Sequence, residues 1–282
     1  MQPERKPEKM RPSWTLDDVP WERFDSSRVD PGHLKAIKGA CMVEHHSDDY
    51  VAYLCSVFHD DPAFQAEARA WGIDELRHGQ ALRRWCELAD PSFNFEARFA
   101  RFKAGGHQLP TQAVKSVRGS RTKELVARCF VESGTSAFYS AMRDATDEPV
   151  LRHICHRIAG DEYRHYRLFY SNKKRYGAIE KPSMWAGLWI ALARLAESGD
   201  DELAYAYYCG NGLTAPYRRR RYATAFARRT LPLYRYEHVT KGLAMTFKAA
   251  GLKPRGRAGR CLTQIGWFVF RTYAWSLCRV SA

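Results

Sequence analysis

Residues 74–78 read Asp-Glu-Leu-Arg-His, and residues 161–165 read Asp-Glu-Tyr-Arg-His. Each pentapeptide sets a glutamate and a histidine three positions apart, Glu75 with His78 and Glu162 with His165. Side chains at that spacing leave one face of a helix. A carboxylate and an imidazole on one face make half of a metal site. Oxygen-rich donor sets with one imidazole per ion suit iron or manganese, and two halves imply two ions. A single acid-x-x-His is weak, since chance alone gives about one in a chain of this composition. A third, Asp30-x-x-His33, straddles a Pro-Gly turn and has no counterpart. The repetition is the signal.

The elements that must position these residues are helical. Apolar residues recur at three- and four-residue spacing between Pro and Gly clusters, and strand signals are almost absent, so the expected class is all-α. The pattern predicts helices over about 31–59, 62–89, 120–145 and 149–176, with acidic residues and a proline opening the second and fourth. The stretch from Pro91 to Gln112 is too long for a turn and has room for a short helix. Further helices are expected near 183–198, 202–208, 216–250 and 258–278. Placing Pro62 on Pro149 also places each pentapeptide on the other. Two helical hairpins joined by one long crossover describe a ferritin-like four-helix bundle. The domain reading is therefore a disordered lead over 1–30, the bundle over 31–180, and a basic, aromatic-rich helical extension over 181–282 that packs on it.

Hairpin geometry then names the partners. Residues at equal distance from a turn stand side by side, so the level of Glu75 and His78 is met near residue 44, and that of Glu162 and His165 near residue 132. Glu44 and Glu132 occupy those positions. One Glu from each of two helices and Glu-x-x-His from each of the other two is the di-iron carboxylate arrangement. Flanking stripes such as Trp71, Leu82 and Trp85, or Ile154, Ile158 and Phe169, imply that all six face a core. Buried together without compensation, the carboxylates would each cost several kcal/mol. Asp74 and Asp161 are expected to accept the second N–H of the histidine on the opposite hairpin, which fixes its tautomer. Arg77 and Arg164 are expected to pair with those aspartates.

The pattern Glu44 … Asp74-Glu75-x-Arg77-His78 … Glu132 … Asp161-Glu162-x-Arg164-His165 resembles the ferritin-like di-iron superfamily, in its O2-activating branch. ELRHGQAL (75–82) with IAGDEYRH (158–165) is similar to soluble acyl-carrier-protein desaturases, and the doubled DExRH resembles the large subunits of bacterial multicomponent monooxygenases. The resemblance covers about residues 35–176. Thr135 stands where the desaturases have a threonine, three positions after the metal carboxylate, and Ser136 where the monooxygenases have theirs. A hydroxyl there can relay a proton during O–O cleavage. The resemblance implies two iron ions, with manganese in place of one as a variant, and O2 as co-substrate. It implies removal of hydrogen from an unactivated carbon of a long-chain acyl or lipid substrate, by desaturation or hydroxylation. The chain has no flavin or nicotinamide fingerprint, so electrons are expected from a separate ferredoxin or reductase.

Composition narrows the partners. The net charge of +14 lies entirely in the last quarter: from Pro216 onward there are fifteen Lys and Arg and one acid, Glu237. Arg218, Arg219, Arg220, Arg221, Arg228 and Arg229 alternate with aromatics there. They are candidate docking residues for an acidic acyl carrier protein or an anionic membrane surface, with RNA ranked lower. The eight cysteines are scattered with no CxxC pair, which favours reduced thiols and argues against a rubredoxin-type iron site. The opening MQPERKPEKM is polar, unlike a signal peptide, and no apolar run reaches the roughly 18 residues of a membrane span. A cytoplasmic protein is expected, with peripheral attachment at the inner face of the membrane as a variant, and a homodimer is compatible. Two other activities fit the same residues, a ferroxidase or peroxidase without organic substrate and a di-iron tRNA hydroxylase.

Overall fold

The computed structural model describes residues 14–106, 109–181 and 201–279, and among these it is helical without a strand. Helix α1 (Pro31–His45) begins where Asp30 accepts the His33 amide and Pro31 needs no hydrogen-bond partner. Helix α2 (Ser47–Val57) follows, then α3 (Pro62–Ala89), capped by Asp61 on the Phe64 amide. Helix α4 (Phe95–Gly105) is capped by Asn94, α5 (Arg121–Ala145) by Ser120, and α6 (Pro149–Glu180) by Glu148 on two amides. The remaining helices are α7 (Asp201–Gly210), α8 (Arg219–Thr230), α9 (Tyr236–Ala249) and α10 (Arg257–Arg279).

Two antiparallel hairpins form the centre. Helices α1 and α2 pack on α3, α5 packs along α6, and α3 meets α6. Outside them α7 crosses α1, α9 lies on α5, and α10 lies on α9 and α8. The α1–α3 approach is close because Gly79 has no side chain: a Cβ there would run into the His45 ring and backbone. Apolar packing comes in two clusters. Ile37, Met42, Leu82, Trp85, Ile154 and Ile158 belong to one, and Phe58, Phe64, Trp71, Tyr166 and Phe169 to the other. Each such side chain contributes about 1.5–3 kcal/mol by leaving water. On both α3 and α6 the two clusters are separated by the Glu-x-x-His residues, so a polar layer divides the core.

Three expectations change and one is met. The helix expected over 31–59 breaks at His46, whose backbone leaves helical geometry. Ser47 donates to the Gly72 carbonyl at 3.3 Å, and His46 turns to Asp49 and Glu202. The helix expected over 216–250 is broken by Pro232, which sits in a 3-10 turn (Leu231–Leu233) between α8 and α9. The short helix allowed for in the long connection is α4. The disordered lead to residue 30 gives way over residues 14–30, which form three 3-10 turns with Trp14 and Val19 buried. Residues 1–13 and the helix expected at 183–198 lie outside the described residues.

Candidate metal centre

The polar layer brings Glu44 of α1, Glu75 and His78 of α3, Glu132 of α5, and Glu162 and His165 of α6 into one buried cluster. Two overlapping donor sets appear, each with its ligand atoms within 4.8 Å of one another. One is Glu44, Glu75, His78 and Glu162; the other is Glu75, Glu132, Glu162 and His165. Glu75 and Glu162 thus belong to both. The sequence reading grouped Glu75 with its own His78, yet Glu75 Oε1 lies 3.0 Å from His165 Nδ1 while Oε2 stands 3.9 Å from His78 Nδ1. Glu162 crosses the other way, 3.3 Å from His78 Nδ1.

The aspartates meet the histidines across the hairpins. His78 Nε2 stands 3.0 Å from Asp161 Oδ2, and His165 Nε2 stands 3.2 Å from Asp74 Oδ2. An ionised carboxylate only accepts, so each Nε2 carries the proton. A neutral ring then presents a lone pair at Nδ1. Both Nδ1 atoms, together with Glu75 Oε1 and Glu162 Oε1, are buried without a hydrogen-bond partner. Acceptors that face one another in a dry interior repel unless a cation lies between them. The donor set therefore fits metal ions chemically: four carboxylates, two oriented imidazoles, and orphaned atoms turned toward a common centre.

The titration behaviour has the same cause. Burial pushes the Glu75 carboxyl well up, helped by repulsion from Glu162 and Glu44, and pushes Glu132 up to about 8. Glu44 goes the other way despite its burial, because the neighbouring His78 and Glu75 and the hydrogen bond from Tyr139 favour its charged form. Burial opposes charge on both imidazoles too, but the surrounding carboxylates outweigh it and raise them. Without metal, protons neutralise the cluster.

Arg77 pairs with Asp74 on its own helix and reaches 3.7 Å from Asp161; Arg164 pairs with Asp161. Asp161 is held low at about 2: burial works against this, but His78, Arg164 and Trp14 prevail. Thr135 Oγ1 donates to Glu162 Oε2 at 2.5 Å, with the Val131 and Glu132 carbonyls as weaker alternatives. Ser136 does not join the cluster: its hydroxyl is spent on the Ala159 carbonyl, 3.2 Å away.

The sequence reading gave no role at the site to two residues. Tyr139, wholly buried, donates to Glu44 Oε1 at 2.5 Å. Its signal was available, for it lies two turns beyond Glu132 on the same face of α5. Trp14 donates from Nε1 to Asp161 Oδ2 at 2.8 Å, stacks on His78 at 6.2 Å between ring centres, and lies under the Arg77 guanidinium. Nothing in a polar, Pro-rich opening announces that.

The candidate docking arginines scatter more widely. Arg218, Arg219, Arg220 and Arg221 are exposed at the start of α8. Arg228 donates to the Leu277 carbonyl of α10, and Arg229 to the Ala225 carbonyl. Among the described residues no helix is long and apolar enough to cross a membrane.

The fold and cluster thus define a helical protein with a buried site of four carboxylates and two histidines. The chain matches no known family model, and no curated protein matches it.

Proposed function

We propose that this protein is an O2-dependent non-haem di-iron oxidoreductase of ferritin-like architecture, which desaturates or hydroxylates an unactivated carbon of a long-chain acyl or lipid substrate. The observation that carries this reading is the pair of overlapping donor sets that share Glu75 and Glu162. When bound, the two irons supply the redox chemistry with O2, using electrons from an external ferredoxin or reductase.

The protein's part is positioning. Glu44 and His78 would help to hold one ion and Glu132 and His165 the other, with Glu75 and Glu162 available in both donor sets. Asp161 and Asp74 keep the imidazole protons on Nε2, so that the Nδ1 lone pairs face inward. Thr135 holds a proton against Glu162 Oε2, and Tyr139 holds one against Glu44 Oε1, at two edges of the cluster. Trp14 closes the cluster beside His78, and Trp71 stands edge-on to His165; both exclude water.

The surface of α10 supports an acyl or lipid partner over RNA. Ile265, Phe268, Val269, Tyr273 and Trp275 are more than half exposed along one side of it. Arg260 and Arg271 are exposed on the same helix. A basic amphipathic helix of this kind suits an anionic lipid surface or an acyl-bearing acidic protein.

Anaerobic loading with Fe(II), followed by iron analysis and Mössbauer spectroscopy, tests the centre: two irons per chain are expected. Single turnover with O2, a reductase and acyl substrates then separates the readings. An oxidised acyl product supports an oxygenase, whereas iron oxidation without organic product turns the assignment to a ferroxidase.

A further inference from the structure

A cavity of about 560 Å³ opens between α1, α4, α7 and α8, and it shares no residue with the carboxylate cluster. Along α1 its innermost contribution, Lys38, precedes Glu44 by six residues, about 9 Å of helix. We propose that this cavity binds a phosphate ester of an organic molecule.

The charge balance inside it is the first reason. Lys35, Lys38, Arg98, Arg221 and Arg229 all line the cavity, and among the described residues Asp90 is the only acid that does. Asp90 is already committed: it pairs with buried Lys38 and accepts from the Ser92 hydroxyl at 2.6 Å. Lys35, Arg98, Arg221 and Arg229 therefore face one another with no carboxylate left among them. Gathering like charges around a concavity costs folding free energy, and a bound anion offsets that cost.

The second reason is that the cations are aimed. Arg98 donates to the Gly210 carbonyl at 2.6 Å and lies over the Phe93 ring. Arg229 donates to the Ala225 carbonyl at 2.7 Å and lies near the Tyr207 ring. These neutral partners fix the direction of each guanidinium without cancelling its charge. A Cβ at Gly212, whose φ is 61°, would fall 3.3 Å from the Arg98 guanidinium, so a side chain there would crowd the arginine. Planar forks of this kind match the oxygen geometry of a phosphate.

Size and wall chemistry give the rest of the ligand. The volume lies within the roughly 300–1,000 Å³ typical of organic-ligand sites, more than a bare phosphate fills. Tyr207, Tyr222, Leu34 and Leu213 provide an apolar wall for the organic part.

Calorimetric titration of the full chain with inorganic pyrophosphate, at fixed ionic strength, tests the proposal. Saturable one-to-one binding is expected, weakened at least tenfold in Lys35→Glu and in Arg221→Glu. Both positions are exposed, so melting temperature and iron content should be unchanged. Absence of saturable binding, or binding by either variant equal to that of the wild type, overturns the site without touching the di-iron reading. A second arm uses phosphatidic acid vesicles. Co-sedimentation that pyrophosphate displaces assigns the phosphate to a lipid headgroup; binding of pyrophosphate without such displacement assigns it to a soluble ester.

Discussion

His78 and Asp161 are 83 positions apart and meet at 3.0 Å, while His165 and Asp74 meet at 3.2 Å, so each hairpin steadies the imidazole of the other. The reciprocity explains why the whole pentapeptide is repeated and not only its Glu and His. Replacing Asp161 or Asp74 by Ala frees the ring and its tautomer. Metal affinity is expected to fall about 10–100-fold, the usual cost of losing such a partner, and competition with a chelator measures it.

Shared and terminal carboxylates should behave differently. Glu75 and Glu162 belong to both donor sets, whereas Glu44 and Glu132 belong to one each. Glu44→Ala is expected to keep close to one iron per chain, and Glu75→Ala to lose both. Equal stoichiometry in the two variants would contradict the sharing.

Thr135→Ala removes the hydroxyl that donates to Glu162 and leaves every proposed ligand in place. Iron content is expected to stay at two per chain while organic product per O2 consumed falls. Unchanged coupling would remove Thr135 from the mechanism.

Trp14 ties the opening segment to the site through Asp161. Trp14→Phe keeps the stacked ring and loses one hydrogen bond to a buried charge, an expected loss of about 1.5–3 kcal/mol in urea unfolding. Trp14→Ala also leaves a cavity, and the expected loss rises to about 3–5 kcal/mol.

Asp61 gives the fold an acid-sensitive joint. Burial alone would raise its carboxyl, but the Tyr176 hydroxyl at 2.7 Å, the Phe64 amide and Arg175 outweigh it and hold it below its ordinary value. A depressed folded-state value stabilises at pH above the unfolded value of about 4, and that stability is lost as pH falls through the folded value. The melting-temperature gap between the wild type and Asp61→Asn is therefore expected to be widest near neutrality and to close below about pH 4.

The all-helical class and the six clustered residues were legible because both rest on short-range periodicity. Helical spacing sets Glu75 beside His78, and distance from a turn sets Glu44 and Glu132 opposite them. Apolar stripes on α3 and α6 already implied burial. Ser136 shows the limit of such reasoning: its position suggested a role, but the rotation of α5 against α6 sends its hydroxyl to the Ala159 carbonyl. The break at His46 was equally hidden, since it is stabilised by contacts from Gly72 and Glu202, both distant in sequence.

Sequence by itself determined which residues could form a metal centre, and that two equivalent halves existed, because side-chain chemistry and helical period are local properties. Only the tertiary structure decided that Glu75 and Glu162 are shared, that Trp14 closes the site, and that Lys35, Arg98, Arg221 and Arg229 surround one cavity. Those relationships depend on how separate helices cross and rotate, and that is set by packing over the whole core.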